Sequence, residues 1–178
     1  MHTLYLITSN PGKVQSFSTI LKQIKSPFTI EMLNAEYIEN KEENSTRRVV
    51  LDGAKICAER YQKPVLVQDT WLFVDSLKWF PWVNTKFCIK TVWLEGILKL
   101  LEWNSNRAAT RQFSLGCCMP WWEPVAFEWE VRWTISQTLR WNQGFGFDPI
   151  FIPDWYHQTF SENIELRDTL SPFNNTVL

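Results

Sequence analysis

The sequence predicts a mixed α/β fold in a single domain that spans residues 1–178. Three observations support this prediction. The chain opens with a strand, a turn and a helix; a buried strand at 64–67 runs directly into polar residues; and residues 111–139 alternate with period two. Period two is typical of strands, whereas apolar residues three and four positions apart indicate helices. No repeat, low-complexity run or Pro/Gly/Ser linker interrupts the chain, so we draw no domain boundary.

The first half is predicted to alternate strands with helices. Strands are expected at 3–8 and 28–33, and a turn at 9–12 leads into a helix that Lys13 opens. The apolar positions of that helix recur at helical spacing and are Val14, Phe17, Ile20, Leu21 and Ile24. A second helix is expected up to Tyr61, capped by Ser45 or Thr46.

The second half is predicted to be richer in strands. A helix at 94–102 precedes the period-two stretch, which indicates a meander or long hairpins. A tight loop at 144–149 then leads into a strand at 150–152.

Composition excludes several classes of protein. Eighteen Lys and Arg residues balance nineteen Asp and Glu residues, so there is no basic field to hold nucleic acid. No apolar run approaches the ~18 residues of a membrane span, and the opening residues lack the basic region of a signal peptide. We therefore expect a cytoplasmic protein with no membrane partner. Its four cysteines are expected to be reduced thiols with a structural role.

The turn Ser9-Asn10-Pro11-Gly12-Lys13 is a candidate phosphate cradle. A glycine-containing turn before a helix presents backbone N–H groups at the positive end of the helix dipole, and a lysine adds a charge for phosphate. The spacing is not that of a P-loop, because Ile7 and Val14 occupy positions where that motif needs Gly and Ser/Thr. The alternative is an ordinary βα turn with a solvated lysine.

The segment Gln68-Asp69-Thr70 follows a buried strand, where α/β sheets hold ligands. Magnesium prefers oxygen ligands and usually takes one or two protein carboxylates together with substrate phosphates. Asp69 and Glu39 are the candidate pair, although acidic clusters such as the one around Glu39 are often simply solvated.

The segment Gly144-Phe145-Gly146-Phe147-Asp148-Pro149 is a candidate base-binding loop. Its glycines allow close backbone approach, its aromatic rings offer stacking faces, and its carboxylate can accept from purine N–H groups. The alternative is a glycine-rich turn whose phenylalanines belong to the core.

Together these segments resemble one family, the inosine triphosphate pyrophosphatases, which remove aberrant purine nucleoside triphosphates. Residues 8–14 resemble its phosphate motif, 65–72 its acidic motif, and 144–151 with 159–162 its base-binding stretch. The resemblance covers nearly the whole chain, in order. It implies an elongated, twisted central mixed sheet with flanking helices, two lobes around a nucleotide cleft, and usually a homodimer. It also implies Mg²⁺-dependent hydrolysis between the α- and β-phosphates of a purine nucleoside triphosphate, giving monophosphate and pyrophosphate.

The resemblance also assigns roles by position. Glu39 and Asp69 would hold Mg²⁺ or orient the attacking water, with Glu36 as the alternative to Glu39. Asp69 and Gln68 occupy the catalytic positions. The implied substrate-binding residues are Thr8, Ser9, Asn10, Lys13, Thr70, Phe145, Gly146, Phe147, Asp148, Arg167 and Ser171.

Two departures from the family pattern leave an alternative open. Gln68 replaces the first of two carboxylates, and Ser171-Pro172-Phe173 replaces the Ser-His-Arg that helps to read the base. A nucleotide-binding or dimeric interaction protein with weak or no turnover is therefore the second hypothesis. A related septum-inhibitor-like pyrophosphatase is the third, which the opening motif disfavours. The resemblance also implies a C-terminal helix after Leu178, so a truncated C-terminal end is a separate expectation.

The tryptophan content is the third departure, with eleven Trp against six Gly. Many of these tryptophans fall where the family has glycine or where a turn favours it, as in Pro120-Trp121-Trp122-Glu123. A side chain at such a position costs ~1 to 2 kcal/mol. Some lineages read the codon UGA as glycine, and a table that reads UGA as tryptophan would produce this pattern. The alternative is a genuine tryptophan-rich protein. If the native protein has glycine at these positions, several of the tryptophans should be exposed in turns, some of them at positive φ.

Overall fold

The computed structural model of the chain describes residues 2–37, 45–140, 143–144 and 146–170. Its elements follow in the order β1 (His2–Ile7), α1 (Pro11–Gln23), β2 (Phe28–Leu33), α2 (Thr46–Tyr61), β3 (Val65–Val74), a 3-10 turn (Asp75–Leu77), β4 (Pro81–Trp82), α3 (Thr85–Thr91), α4 (Trp93–Leu100), β5 (Ala108–Cys118), β6 (Val125–Ile135), β7 (Phe151–Pro153) and α5 (Ile164–Thr169). In this part of the chain, no helix is both long and apolar enough to span a membrane.

The strands form one mixed sheet in the order β2-β1-β3-β5-β6-β7, with β4 paired to β3. The first three of these strands run parallel, and β1 pairs with β2 from His2 opposite Phe28 to Ile7 opposite Leu33. The pairs β3–β4 and β6–β7 are antiparallel. The mixed α/β fold is therefore confirmed.

Two elements differ from the predictions. β3 does not end before Gln68 but continues to Val74, because Leu72 and Phe73 pair with β4. Gln68, Asp69 and Thr70 therefore lie inside a strand rather than beyond its end. The helix expected at 94–102 is confirmed as α4, whereas α3, in which only Thr85 and Cys88 are buried, was not predicted.

The chain forms two compact units, and β3, β5 and β6 contribute residues to both. The first comprises Met1–Asp69 and Phe113–Trp129. Its core is the buried face of α2 packed on strand residues, and consists of Ile7, Val50, Ala54, Cys57, Ala58, Val65, Val67 and Cys118. A Cβ at Gly116 would lie 2.3 Å from the carbonyl oxygen of Val50, so this close approach of α2 to β5 requires glycine.

The second unit comprises Thr70–Gln112 and Glu130–Leu178. Its core includes Leu72, Ile97, Leu101, Ile135 and Phe151, all almost fully buried. The guanidinium of Arg107 is buried and donates to three backbone carbonyls: Nε to Ile135 at 2.8 Å, Nη1 to Leu101 at 2.7 Å and Nη2 to Ser136 at 2.7 Å. Burial lowers the pKa of Arg107. This side chain holds the end of α4 against the end of β6.

Candidate functional site

The loop between β1 and α1, residues 8–13, is hereafter called the phosphate loop. Thr8 Oγ1 accepts from the backbone N–H of Asn10 at 3.0 Å, and Asn10 Oδ1 accepts from the backbone N–H of Gly12 at 2.9 Å. Asn10 is thus the N-cap of α1, and Pro11 opens the helix where a missing N–H costs nothing. Thr8 is half-buried, whereas Ser9 and Asn10 are exposed. The sequence therefore holds the N-terminal end of α1 in a fixed form, with polar groups facing solvent.

Lys13 joins the phosphate loop to β3. Its Nζ donates to the backbone carbonyl of Gln68 across 3.3 Å. β1 and β3 pair in parallel, with Leu6 opposite Leu66. Because parallel strands run in the same direction, the residues that follow this pair on each strand, the phosphate loop and Gln68, lie side by side. The structure therefore brings together two residues that the sequence placed in separate motifs.

Gln68 and Asp69 are half-buried residues of β3. Successive strand residues point to opposite faces, so these two side chains point apart, and Asp69 shares a face with the buried Val67. A carboxylate at position 68 would therefore stand on the face opposite Asp69.

The predicted magnesium site is described only in part. Glu39 lies outside the described residues, and within the described ranges no group of three His, Cys, Asp or Glu residues is arranged to hold a metal. Glu36, the alternative, is exposed, and its backbone carbonyl accepts from Arg60 Nη1 at 3.1 Å. Among the described residues of β3, Asp69 supplies one carboxylate, and magnesium commonly takes one or two carboxylates plus substrate phosphates, so the magnesium site stays a prediction.

The second unit contains the candidate base-binding loop, residues 144–149; together with the preceding Gln143 it is hereafter called the base loop. Gly144 has φ of +99°, and a Cβ there would lie 2.6 Å from Asp148 Oδ2. Gly146 also has positive φ, with open space around a Cβ. Asp148 is only 2% exposed. A glycine is thus required at position 144 for the loop to close over the Asp148 carboxylate.

Phe147 lies in the core of the second unit. Its ring stacks on Phe151 with centroids 5.3 Å apart, and Trp133 contacts both Phe151 and Phe160. This placement favours the alternative interpretation, in which the phenylalanine of this turn is a core residue. Its role in lining a base pocket stays a prediction. Phe145 and Ser171 lie outside the described residues, as does the side chain of Arg167.

A network around Thr159 and Glu162 supports the base loop; the resemblance placed residues 159–162 in the base-binding stretch but gave none of them an individual role. Glu162 Oε2 accepts from the backbone N–H of Thr159 at 2.7 Å, and Thr159 Oγ1 accepts from the backbone N–H of Glu162 at 3.3 Å. Arg140 adds a cation 3.5 Å from Glu162. The backbone N–H of Thr159 is the main cause that lowers the pKa of Glu162, and burial opposes it. The reciprocal pattern is that of a capping box, with its T-x-x-E signature visible in the sequence, but here it closes the turn at 160–162, since the N-cap of α5 is Asn163.

Ser161 connects this network to the base loop. It is fully buried, and its hydroxyl exchanges hydrogen bonds with the backbone of Gln143. Its own backbone N–H donates to the carbonyl of Asp148 at 3.1 Å. Both ends of the base loop are therefore bonded to one residue.

The four thiols show no sign of activation. Cys57, Cys88 and Cys118 are buried and Cys117 is half-buried, and none of the four is in a disulfide. Burial raises the pKa of each thiol. Nucleophilic cysteines need a lowered pKa, so these side chains act as packing residues.

Comparison with known proteins places this geometry in a family. The chain is 37% identical to the dITP/XTP pyrophosphatase of Methanopyrus kandleri over 155 residues, which cover 87% of this chain and 81% of the relative. It is 37% identical to the dITP/XTP pyrophosphatase of Pyrococcus horikoshii over 173 residues, covering 94% and 89%.

Solved structures share the fold. A HAM1 protein from Coxiella burnetii matches with a TM-score of 0.81 at 18% identity, covering 98% of this chain and 93% of that one. The nucleoside-triphosphatase / dITP/XTP pyrophosphatase of Mycobacterium abscessus matches with a TM-score of 0.72 at 23% identity, covering 93% and 88%. The Ham1 family pattern matches residues 4–171. With that match, the resemblance seen in the motifs is confirmed, and the chain belongs to the Ham1 family.

Proposed function

We propose that this protein is a nucleoside triphosphate pyrophosphatase that acts on dITP and XTP. It hydrolyses the anhydride between the α- and β-phosphates and releases a nucleoside monophosphate and pyrophosphate. The relatives at 37% identity carry that name, and they are matched over more than four fifths of their length. The observation that carries the proposal is the contact of Lys13 with Gln68, which joins a cation at the start of α1 to the residue before Asp69.

The phosphate loop binds the triphosphate. The positive end of the α1 dipole favours an anion, and the ammonium of Lys13 adds a full charge. The hydroxyls of Thr8 and Ser9 and the amide of Asn10 supply donors at the same loop. The phosphate groups that these residues bind are negatively charged both before and after the reaction. The same residues therefore hold the triphosphate and the leaving pyrophosphate.

Asp69 orients the attacking water and contributes a carboxylate to Mg²⁺, with Glu39 or Glu36 as the second carboxylate. When bound, Mg²⁺ neutralises phosphate charge and makes a coordinated water more acidic. Asp69 is half-buried, and in such a site its interaction with a cation is stronger than in bulk water.

The base loop recognises the purine. The Asp148 carboxylate accepts from a purine N–H, the ring of Phe145 provides the apolar surface while Phe147 anchors the loop in the core against Phe151, and Thr70, Gly146, Arg167 and Ser171 complete the binding set. The protein acts in the cytoplasm as a homodimer. The residue assignments rest on the position of each residue in the family motifs, whereas the homodimer and the cytoplasmic location rest on the expectations drawn from the sequence.

A pyrophosphate-release assay tests the proposal. The protein is incubated with dITP, XTP and dGTP at equal concentration, with Mg²⁺ or with a chelator. We expect release from dITP and XTP well above that from dGTP, and loss of release with the chelator. Equal release from all three nucleotides would contradict the proposed substrate class, and release that persists in chelator would contradict the role of magnesium.

Gln68 supports one second candidate, a protein that binds nucleotide with little turnover. The family carboxylate at this position is replaced by an amide, which carries no charge to hold a cation or polarise water. Equilibrium binding of dITP without release of pyrophosphate, measured on the same preparation, would favour this candidate.

A further inference from the structure

The tryptophans of this chain have an unusual backbone conformation. Five of the ten within the described residues have positive φ: Trp79 at 73°, Trp82 at 51°, Trp93 at 58°, Trp121 at 68° and Trp155 at 71°. Positive φ brings Cβ against the neighbouring carbonyl oxygen, so non-glycine residues adopt it in only a few per cent of cases, and bulky ones rarely.

Positive φ is concentrated at the tryptophans. In the same described ranges, three other non-glycine residues have it, namely Lys25, Gln62 and Lys78. Two of these three end helices or turns, where such a residue is common. The backbone thus takes a glycine conformation preferentially where tryptophan is written.

Most of these indoles have no packing that would offset the strain. Of the five tryptophans with positive φ, four are exposed: Trp155 at 98%, Trp121 at 82%, Trp79 and Trp93. Trp103, at 94%, and Trp122 are also exposed but have no positive φ. Tryptophan is on average among the more buried residue types, because its large ring gains most from leaving water. Exposed rings in turns contribute little to the fold.

The buried position Trp133 gives an independent sign. Its ring is 2% exposed, and among the described atoms its Nε1 has no hydrogen-bond partner. A buried indole N–H normally finds a partner, since leaving it unsatisfied is costly.

Glycine is correspondingly scarce. The chain has six glycines in 178 residues, below the roughly 7% that is usual. Glycine at the eleven tryptophan positions would bring the total to seventeen, about 10%, an ordinary value.

We propose that the native protein carries glycine at all eleven positions written as tryptophan, because its gene has UGA codons there and its cells decode UGA as glycine. Strained exposed turns, an unsatisfied buried indole and a shortage of glycine then have a single cause. The proposal is independent of the enzymatic function.

The gene and the native protein test it directly. We expect UGA at all eleven codons, and protein purified from its own cells should have the mass of the glycine form, with no tryptophan fluorescence and absorbance from its four tyrosines only. UGG at these codons, or tryptophan in peptides of the native protein, would overturn the proposal.

Recombinant variants test the strain separately. Trp121→Gly and Trp155→Gly relieve positive φ at exposed sites, whereas Trp103→Gly and Trp122→Gly are matched exposed controls without positive φ. We expect each of the first pair to raise Tm by about 2 to 4 °C and the controls to leave it unchanged or lower it. If the chain with its eleven tryptophans does not fold, the test starts from a protein with glycine at all eleven positions. Tryptophan is then introduced at one of the four positions at a time. The variants at 121 and 155 should lose more Tm than the variants at 103 and 122. Equal effects at all four positions would overturn the argument from backbone strain.

Discussion

Lys13 and Gln68 are 55 positions apart in the chain, yet Lys13 Nζ donates to the backbone carbonyl of Gln68 across 3.3 Å. The contact depends on the parallel pairing of β1 with β3 and on the Asn10 cap that begins α1 next to the strand end. It uses the carbonyl of Gln68 and not its side chain, so it fixes the position of the lysine whatever residue occupies position 68.

Lys13→Met should reduce kcat/KM for dITP by about 100-fold, because a full charge on the phosphates is lost at a partly desolvated site. Stability should fall by only about 1 kcal/mol, the usual net value of one hydrogen bond. Lys22→Met is the matched control, since Lys22 is an exposed lysine in the last turn of the same helix. Pyrophosphate release and urea unfolding measure the two effects, and equal activity of the two variants would exclude Lys13 from phosphate binding.

Gln68→Glu should raise kcat for dITP by about tenfold, because it restores the carboxylate that the family motif has at this position. The substitution hardly changes the size of the side chain. The gain should appear only with Mg²⁺ present. Gln62→Glu, an exposed change at the end of α2, serves as the control for added negative charge. If Gln68→Glu leaves kcat unchanged, the amide at position 68 is not what limits turnover.

Gly144→Ala should lower the free energy of unfolding by about 2 kcal/mol or more, because the new Cβ meets Asp148 Oδ2 at 2.6 Å and φ is +99°. It should also raise KM for dITP, since the Asp148 carboxylate must move. Gly146→Ala is the control, with positive φ but nothing within 4 Å of the new Cβ, and should cost about 1 kcal/mol. Urea unfolding and steady-state kinetics separate the two variants. Because Gly146 itself belongs to the proposed binding set, KM is compared with the parent protein, and an unchanged KM of Gly144→Ala would show that Asp148 does not bind the base.

Arg107→Met should lower the free energy of unfolding by about 2 to 4 kcal/mol, because it leaves the buried carbonyls of Leu101, Ile135 and Ser136 without their donors. Arg132→Met is the control, since that arginine is mostly exposed and its ion pair with Asp75 spans 3.7 Å, so about 0 to 1 kcal/mol is expected. Equal midpoints in urea would contradict the bracing role of Arg107.

Sequence patterns predicted correctly those strands and helices whose signals lie within a few consecutive residues. The strand at 28–33 and the helix capped by Ser45 appear with the expected bounds, because β-branched and apolar alternation and an N-cap act within a few residues. The end of β3 was wrong because its extension depends on pairing with β4, a partner two residues long that carries no periodic signal. Arg107 was missed for a similar reason, since two of its carbonyl acceptors lie 28 and 29 positions away.

The site was predictable to different degrees. Residues of the phosphate loop and Lys13 were found from a turn motif that precedes a helix, which is a local signal. The burial of Phe147 was not, because whether a ring in a glycine-rich turn faces solvent or core depends on Phe151, whose ring it meets in the folded chain. The resemblance linked residues 159–162 to the base-binding stretch, and the T-x-x-E signature at Thr159 and Glu162 is the local signal that would have predicted how they are bonded.

Glu162 should make stability depend on pH in the acid range. Its folded-state pKa lies below the ordinary value of 4.5, because the N–H and O–H groups of Thr159 and the guanidinium of Arg140 favour the carboxylate. A lowered folded pKa contributes stability that is fully present above 4.5 and is lost as the pH falls through the folded pKa.

Glu162→Gln should therefore be less stable than the parent at about pH 7, and the difference should shrink as the carboxylate of the parent protonates in acid. Thr159→Ser keeps both the backbone N–H and a hydroxyl, so it should retain the pH dependence of the parent. Urea unfolding of the three proteins across this pH range measures the effect, and a difference between Glu162→Gln and the parent that does not change with pH would show that the carboxylate charge at position 162 does not stabilise the capping box.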